Sequence, residues 1–136
     1  MTSADNGLQF QLCPLSSLTP HEHYNEQEAR AIADDIIRNR EIRDPLLIDL
    51  RRKIILDGHH RFAALKDILE LHQAPCYLID YDGPDISVYS WREDIAVTKS
   101  VVIAAASSGK LLPEKTSRHE LRLETRSRPT LLSLLR

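Results

Sequence analysis

The segment Lys53-Ile54-Ile55-Leu56-Asp57-Gly58-His59-His60-Arg61-Phe62-Ala63-Ala64-Leu65 constrains this chain more than any other. Three consecutive large aliphatics predict a short buried strand, Asp57-Gly58 a sharp turn, and the residues beyond it an amphipathic helix. A strand that breaks at glycine into a helix aims the helix's unpaired N–H groups at one point. With the positive end of the helix dipole and a nearby cation, that point is an anion site. Gly58 permits a tight turn or a close approach of backbone to ligand. Arg61 carries a fork that fits two phosphate oxygens, and Asp57 stands where it would hold a hydroxyl, a magnesium-bound water or a capping N–H. The same residues also fit an ordinary turn, with Asp57 as the helix cap and the histidines facing solvent.

The remaining pattern places this turn inside one domain. A chain of 136 residues with 42% hydrophobic content suits a single core. Residues 1–7 read as disordered, and Leu8 to Leu15 alternates as a first strand. Asn25 and Glu28 form a capping box ahead of a helix whose buried face is Ala29, Ile32, Ala33, Ile36 and Ile37, ending near Asn39 or Arg40. Asp44-Pro45 breaks the chain, Leu46–Leu50 is a strand, and Arg51-Arg52 turns it into Lys53–Asp57 as a hairpin. Phe62, Leu65, Ile68 and Leu69 give the next helix its core face. Pro75 opens a strand over Cys76–Asp80, and Ile86 to Trp91 is extended. Thr98 caps a last helix through Val101, Val102, Ala105 and Ala106, stopped at Gly109. Irregular alternation with short connections predicts a mixed α+β domain over residues 8–119, with 120–136 an extension packing on it or on a partner.

Composition narrows the function. No run approaches eighteen apolar residues, and Met1 to Gly7 lacks the apolar core of a signal peptide, so the expectation is a soluble cytoplasmic protein without membrane contact. Cys13 and Cys76 have no metal-type spacing and make no disulfide framework; they read as small buried residues. The net charge of −2 argues against bulk nucleic-acid binding, but it is unevenly spread: residues 109–136 carry +4 and residues 1–108 carry −6. The apolar end Leu131-Leu132-Ser133-Leu134-Leu135 either packs on its own core or offers a homodimer surface. Glycine loops of the Walker or Rossmann type, a Gly-x-Ser-x-Gly elbow and a recognisable Cys-His pairing are all missing.

Three further constellations carry chemistry. Glu22, flanked by His21 and His23, supplies a general base, a metal ligand or merely a solvated loop. Zinc held by these histidines with His59 and His60 is disfavoured, since adjacent helical side chains point about 100° apart. Lys110 to His119 interleaves cations with Thr116 and Ser117, a composition suited to a carboxylate, a phosphate or a polar tail. Trp91, in Ser90-Trp91-Arg92, is a core residue or a binding platform.

Taken in order, Asp44-Pro45-Leu46-Leu47-Ile48-Asp49 and then Ile54-Ile55-Leu56-Asp57-Gly58-His59-His60-Arg61-Phe62-Ala63-Ala64-Leu65 resemble the nucleotide-binding domain shared by ParB partition proteins and sulfiredoxin. Gly58-His59-His60-Arg61 has no cysteine, which argues against sulfiredoxin's sulfinic-acid repair. The Asp-Gly-His-His-Arg form is most similar to the free L-serine kinases of this fold, which make O-phosphoserine from ADP or ATP. Pro20-His21-Glu22, Trp91 and Pro113-Glu114-Lys115-Thr116-Ser117-Arg118-His119 match further pieces of that family, so the resemblance spans roughly Leu12 to His119. It implies a ParB N-terminal/sulfiredoxin-like α+β fold, with Glu22, Asp57 and His60 catalytic. Gly58, His59, His60, Arg61, Lys115, Thr116 and Arg118 would hold the nucleotide phosphates, and Trp91, Ser117 and His119 the amino acid. Mg²⁺ would arrive on phosphate oxygens, with no direct protein ligand. Two departures stand out: known members are longer between the tryptophan and the Thr/His segment, and Asn39-Arg40 lacks the glycine usual after the first helix. The alternative that the resemblance allows is a ParB-like regulatory module that binds CTP or ATP without kinase activity, in a partition or transcription role.

Overall fold

Alternate side chains along the strands fall into two apolar sets, which requires a sheet covered on both faces. The computed structural model describes residues 3–5 and 8–136. In chain order its elements are β1 (Ser3–Asp5), β2 (Leu8–Pro14), α1 (Glu26–Asn39), β3 (Glu41–Ile42), β4 (Leu46–Asp49), β5 (Ile55–Asp57), α2 (His59–Ala63), β6 (Gln73–Ile79), β7 (Ile86–Ser90), α3 (Lys99–Ser108), β8 (Ser117–Leu121) and β9 (Thr130–Leu131). The main sheet has the order β1-β2-β6-β4-β5, with β4 and β6 parallel and every other pair antiparallel. Leu46, Ile48, Ile55, Cys76 and Leu78 face α1 and α2. Leu47, Ile54, Leu56, Tyr77 and Ile79 face α3 and the hairpin of β7 with β8. Ile54-Ile55-Leu56 is continuously apolar because both of its faces are buried.

The ends of α1 follow local chemistry. Asn25 Oδ1 accepts the Glu28 N–H at 3.0 Å, and Arg40 takes the left-handed conformation (φ 56°) where a glycine was expected. Ala29, Ala33 and Ile36 are buried, but Ile37 is 52% exposed. Eight positions after Ala29 the helix has turned about 80° past it, which carries Ile37 off the core face. α2 continues into a π-type turn over Ala64–Ile68, and Leu69 N–H reaches Ala64 O at 2.9 Å. Thr98 Oγ1 accepts the Val101 N–H, and Gly109 ends α3 at φ 73°.

Three expectations need correction. Ser3–Asp5, expected disordered, pairs with β2, while residues 1, 2, 6 and 7 lie outside the described residues. Pro75 lies within β6 rather than before it. It sits opposite Leu12, and pairing with β4 begins one residue later at Cys76, so the missing N–H interrupts no bond to β4. Val101 is only half-buried, whereas Val102, Ala105 and Ala106 are buried. At the other end of the chain, β9 pairs with β3, and Leu132 and Leu135 sink into the α1/α2-side core. Leu135 O receives the N–H groups of His72 and Gln73 at 2.8 and 3.0 Å.

Gly58 is required twice over. Its φ is +108°, and an added Cβ would lie 2.6 Å from Leu46 Cδ2. Gly109 has φ +73° but open space around it. Gly58→Ala is therefore expected to cost on the order of 2–4 kcal/mol from strain and overpacking together. Gly109→Ala should cost only about 1 kcal/mol, the backbone contribution alone. Urea denaturation of the two variants checks this ranking, and equal losses would contradict it.

Candidate functional site

The loop before α1 is tied down on both sides, and this fixes Glu22. Thr19 N–H reaches Lys53 O at 2.9 Å and Ile55 N–H reaches Thr19 O at 2.8 Å. On the opposite side Leu112 N–H donates to His21 O and His23 N–H to Leu112 O, each at 2.9 Å. Glu22 is thereby buried between β5 and the segment leading into β8. It lines a cavity of about 410 Å³ whose walls include Glu28, Asp57, Gly58, His60, Arg61, Trp91, Lys115 and Ser117.

The turn at Gly58 forms one wall. Phe62 N–H is bonded to Gly58 O at 2.8 Å, so helix geometry leaves the N–H groups of His59, His60 and Arg61 for a ligand or water. Gly58, not Asp57, is the N-cap; the Asp57 carboxylate is largely exposed and lies 3.6 Å from Arg61 Nη2. Arg61 Nη1 donates to the carbonyls of Asp44 and Pro45 at 2.9 and 3.0 Å. The guanidinium thus braces the chain ahead of β4, with half its fork already engaged.

The two histidines diverge. His59 turns inward, where its Nε2 accepts the N–H groups of His21 (3.1 Å) and Glu22 (3.3 Å). Burial, followed by neighbouring His21, lowers its pKa to about 3 against the opposing pull of Glu22, so the ring is neutral. His60 Nε2 accepts the Asn25 N–H at 3.0 Å. That atom's lone pair is therefore occupied, and it has no proton to offer Glu28 or Glu114, whose oxygens lie 3.3 and 3.5 Å away.

Burial alone would raise the Glu22 pKa. Hydrogen bonds from His21 and from both the hydroxyl and the N–H of Ser117, with His59 nearby, outweigh it and hold the carboxyl at about 2. Ser117 N–H donates to Glu22 Oε2 at 2.8 Å, and its hydroxyl makes a short contact with the same oxygen. A buried carboxylate is thus kept ionised at the edge of a cavity.

The structure separates the remaining sequence candidates. Trp91, 60% exposed, lines the cavity, as does Lys115, whose Nζ lies 2.8 Å from Glu28 Oε1. Thr116 does not reach the cavity: it is buried and its hydroxyl donates to Pro113 O at 2.6 Å, closing a turn. Arg118 also lies outside the lining, with its guanidinium 5.0 Å from the Trp91 ring and paired with Glu120. His119 lines a second cavity of about 450 Å³, which shares Asp44, Asp57 and Arg61 with the first. There it is bonded to the buried Tyr81 hydroxyl at 2.9 Å and held down to about 3, by burial first and His21 next. Sequence reasoning weighed His21 only as a disfavoured zinc ligand, although it is fully buried beside Glu22; its partners lie 34 and 96 positions away. Among the described residues, no group of three or more His, Cys, Asp or Glu is arranged to hold a metal, and no helix is long and apolar enough to cross a membrane.

Superposition on known structures decides the architecture. A free serine kinase in complex with AMP matches with a TM-score of 0.84 at 17% identity, over 93% of each chain. The fold is that of the free serine kinases. In sequence, the chain is 30% identical over 103 residues to an ATP-dependent L-serine kinase of Desulfurococcus mucosus, covering 72% of this chain and 40% of that protein. It is 31% identical over 83 residues to an ADP-dependent L-serine kinase of Thermococcus kodakarensis, covering 57% of this chain and 33% of that one. A ParB-like protein of Sulfolobus acidocaldarius is 34% identical over 67 residues, covering 49% and 33%. The matched region spans less than half the length of these curated relatives. No family model matches. The expected ParB/sulfiredoxin-like α+β fold is the one observed.

The buried neutral His59 sets an acid dependence of stability. Its folded pKa of about 3 lies below the ordinary 6.5, so between those values the unfolded chain binds more protons than the folded one. Stability is then full above pH 6.5 and declines as pH falls towards 3. Urea midpoints measured across this range should drop on acidification. They should drop less in His59→Gln, whose side-chain oxygen still accepts the loop N–H groups without titrating. A wild-type midpoint that stays constant from pH 7 to pH 4 would contradict the assignment.

Proposed function

We propose that this domain is a nucleotide-dependent kinase that transfers a phosphoryl group to free L-serine or a similar small hydroxyl amino acid. One observation carries the reading: Glu22, an ionised buried carboxylate, opens onto the same cavity as the unbonded N–H groups after Gly58. A phosphate donor seated on the turn would thereby bring its terminal phosphorus near a base. The cradle of helix N–H groups and helix dipole favours the donor's negative charge, and Arg61 adds its remaining N–H edge. The acceptor oxygen attacks the terminal phosphorus, the bond from that phosphorus to the departing nucleotide oxygen breaks, and Glu22 takes the hydroxyl proton. Trp91 forms the open wall beside Ser117, suited to enclosing a small amino acid.

Similarity to L-serine kinases in sequence, and to free serine kinase in fold, supports this reading. Solved free serine kinases include forms in which a single glutamate is changed to Gln or Ala, and Glu22 is the buried glutamate among the described residues here. ADP and ATP are the donors proposed. Magnesium would arrive on the donor's phosphate oxygens, with the Asp57 carboxylate at the cavity wall placed to hold one of its waters. Bound there, the ion would neutralise charge on the phosphates.

The alternative, a ParB-like module that binds nucleotide without phosphorylating serine, is favoured by the ParB-like relative. Incubation with magnesium, L-serine and ADP, ATP or CTP in turn separates the two. Phosphoserine formation is expected with ADP or ATP, whereas nucleotide binding without it would support the module. Glu22→Gln should lower kcat by roughly 10²- to 10⁴-fold, the range for a positioned proton acceptor, and leave nucleotide affinity intact. Near-full turnover by this variant would remove Glu22 as the base.

A further inference from the structure

The partners of His21 determine where its protons lie. Its Nδ1 is 2.7 Å from the Ile55 carbonyl, which can only accept, so Nδ1 carries a proton. Its Nε2 is 2.8 Å from Ser117 Oγ and 3.4 Å from Glu22 Oε2. The single hydroxyl proton of Ser117 lies in the short contact with Glu22 Oε2. Ser117 Oγ therefore faces Nε2 as an acceptor, and that contact is a hydrogen bond only if Nε2 is protonated as well. All of these contacts are satisfied together when His21 is the imidazolium.

The surrounding groups agree. Those facing His21 are Ile55 O from β5, Glu22 on its own loop, His59 from α2, and Ser117 and His119 from β8. His59 Nε2 is occupied by two backbone N–H groups, and His119 Nε2 by the Tyr81 hydroxyl. Both rings are kept neutral by burial, with His21 among the causes. A cluster of three close imidazoles accommodates one positive charge, and His21 is the ring with a carboxylate beside it.

We propose that His21 and Ser117 are positioning residues for Glu22, forming a chain from His21 Nε2–H through the Ser117 hydroxyl to Glu22 Oε2 that holds one carboxylate oxygen and leaves the other to the cavity. The proposal rests on the kinase reading of Glu22 as the base. It withdraws Ser117 from the amino acid, where the sequence motif put it.

Steady-state kinetics of Ser117→Ala separates positioning from substrate contact. A positioning role predicts kcat lower by about 10- to 100-fold with KM for serine within about twofold of wild type. His21→Asn, whose amide can still donate to Ile55 O, should lower kcat to a similar extent with KM for serine likewise unchanged. A raised KM at unchanged kcat would put Ser117 on the substrate and overturn the proposal while leaving the kinase reading in place. Nitrogen-15 spectra of the histidine rings test the chain without turnover. The Nε2 signal of His21 should carry the signature of a proton bonded to Ser117 Oγ and should shift in Ser117→Ala. A His21 ring indifferent to Ser117→Ala would overturn the proposal even if no serine phosphorylation were found.

Discussion

The inward imidazole of His59 joins the two halves of the candidate site. It belongs to the first turn of α2, yet its Nε2 receives the backbone N–H groups of His21 and Glu22 from a loop 38 and 37 positions earlier. Without that acceptor two buried donors would lack partners, each costing about 1–3 kcal/mol. The bond therefore couples the placement of the Glu22 carboxylate to the placement of the N–H groups that open α2. A protonated His59 cannot make it, so the burial that keeps the ring neutral is part of the construction.

The same turn shows how the sheet and the site share residues. Gly58 allows α2 to begin close against Leu46, and Arg61 reaches back from α2 to the carbonyls of Asp44 and Pro45 just before that strand. Asp57 is left outward, 3.6 Å from Arg61, at the boundary of two cavities. Packing on the α1/α2 side thus fixes the angle of the Gly58 turn, while β8 on the other face delivers Ser117 to Glu22.

Features that depend on neighbours in sequence were legible there. The Asn25–Glu28 cap, the stop at Gly109, the hairpin through Arg51-Arg52 and the turn at Gly58 all follow from a few adjacent residues. Features that depend on distant partners were not. His59 and His60 are adjacent and alike in sequence, but their separation around the helix sends one to the loop N–H groups and the other to Asn25. Thr116 and Ser117 look interchangeable in a motif; one closes a turn, and the other meets Glu22 from 95 positions away. Strand alternation then carries Arg118 out to Trp91 and His119 in towards Tyr81. Ile37 fits the helical period and still points to solvent, because a period does not say how wide the core face is.

The leucines near the far end of the chain bear on the order of assembly. Leu132 and Leu135 complete the core between α1, α2 and the sheet, and Leu135 O closes the backbone at His72 and Gln73. A chain emerging from the ribosome with those residues still inside lacks two core side chains and leaves the start of β6 uncapped. The turn at Gly58 and the Glu22 loop would already be outside, but the layer that supports them would be incomplete. The layer behind the turn at Gly58 is then complete only once Leu132 and Leu135 have left the ribosome.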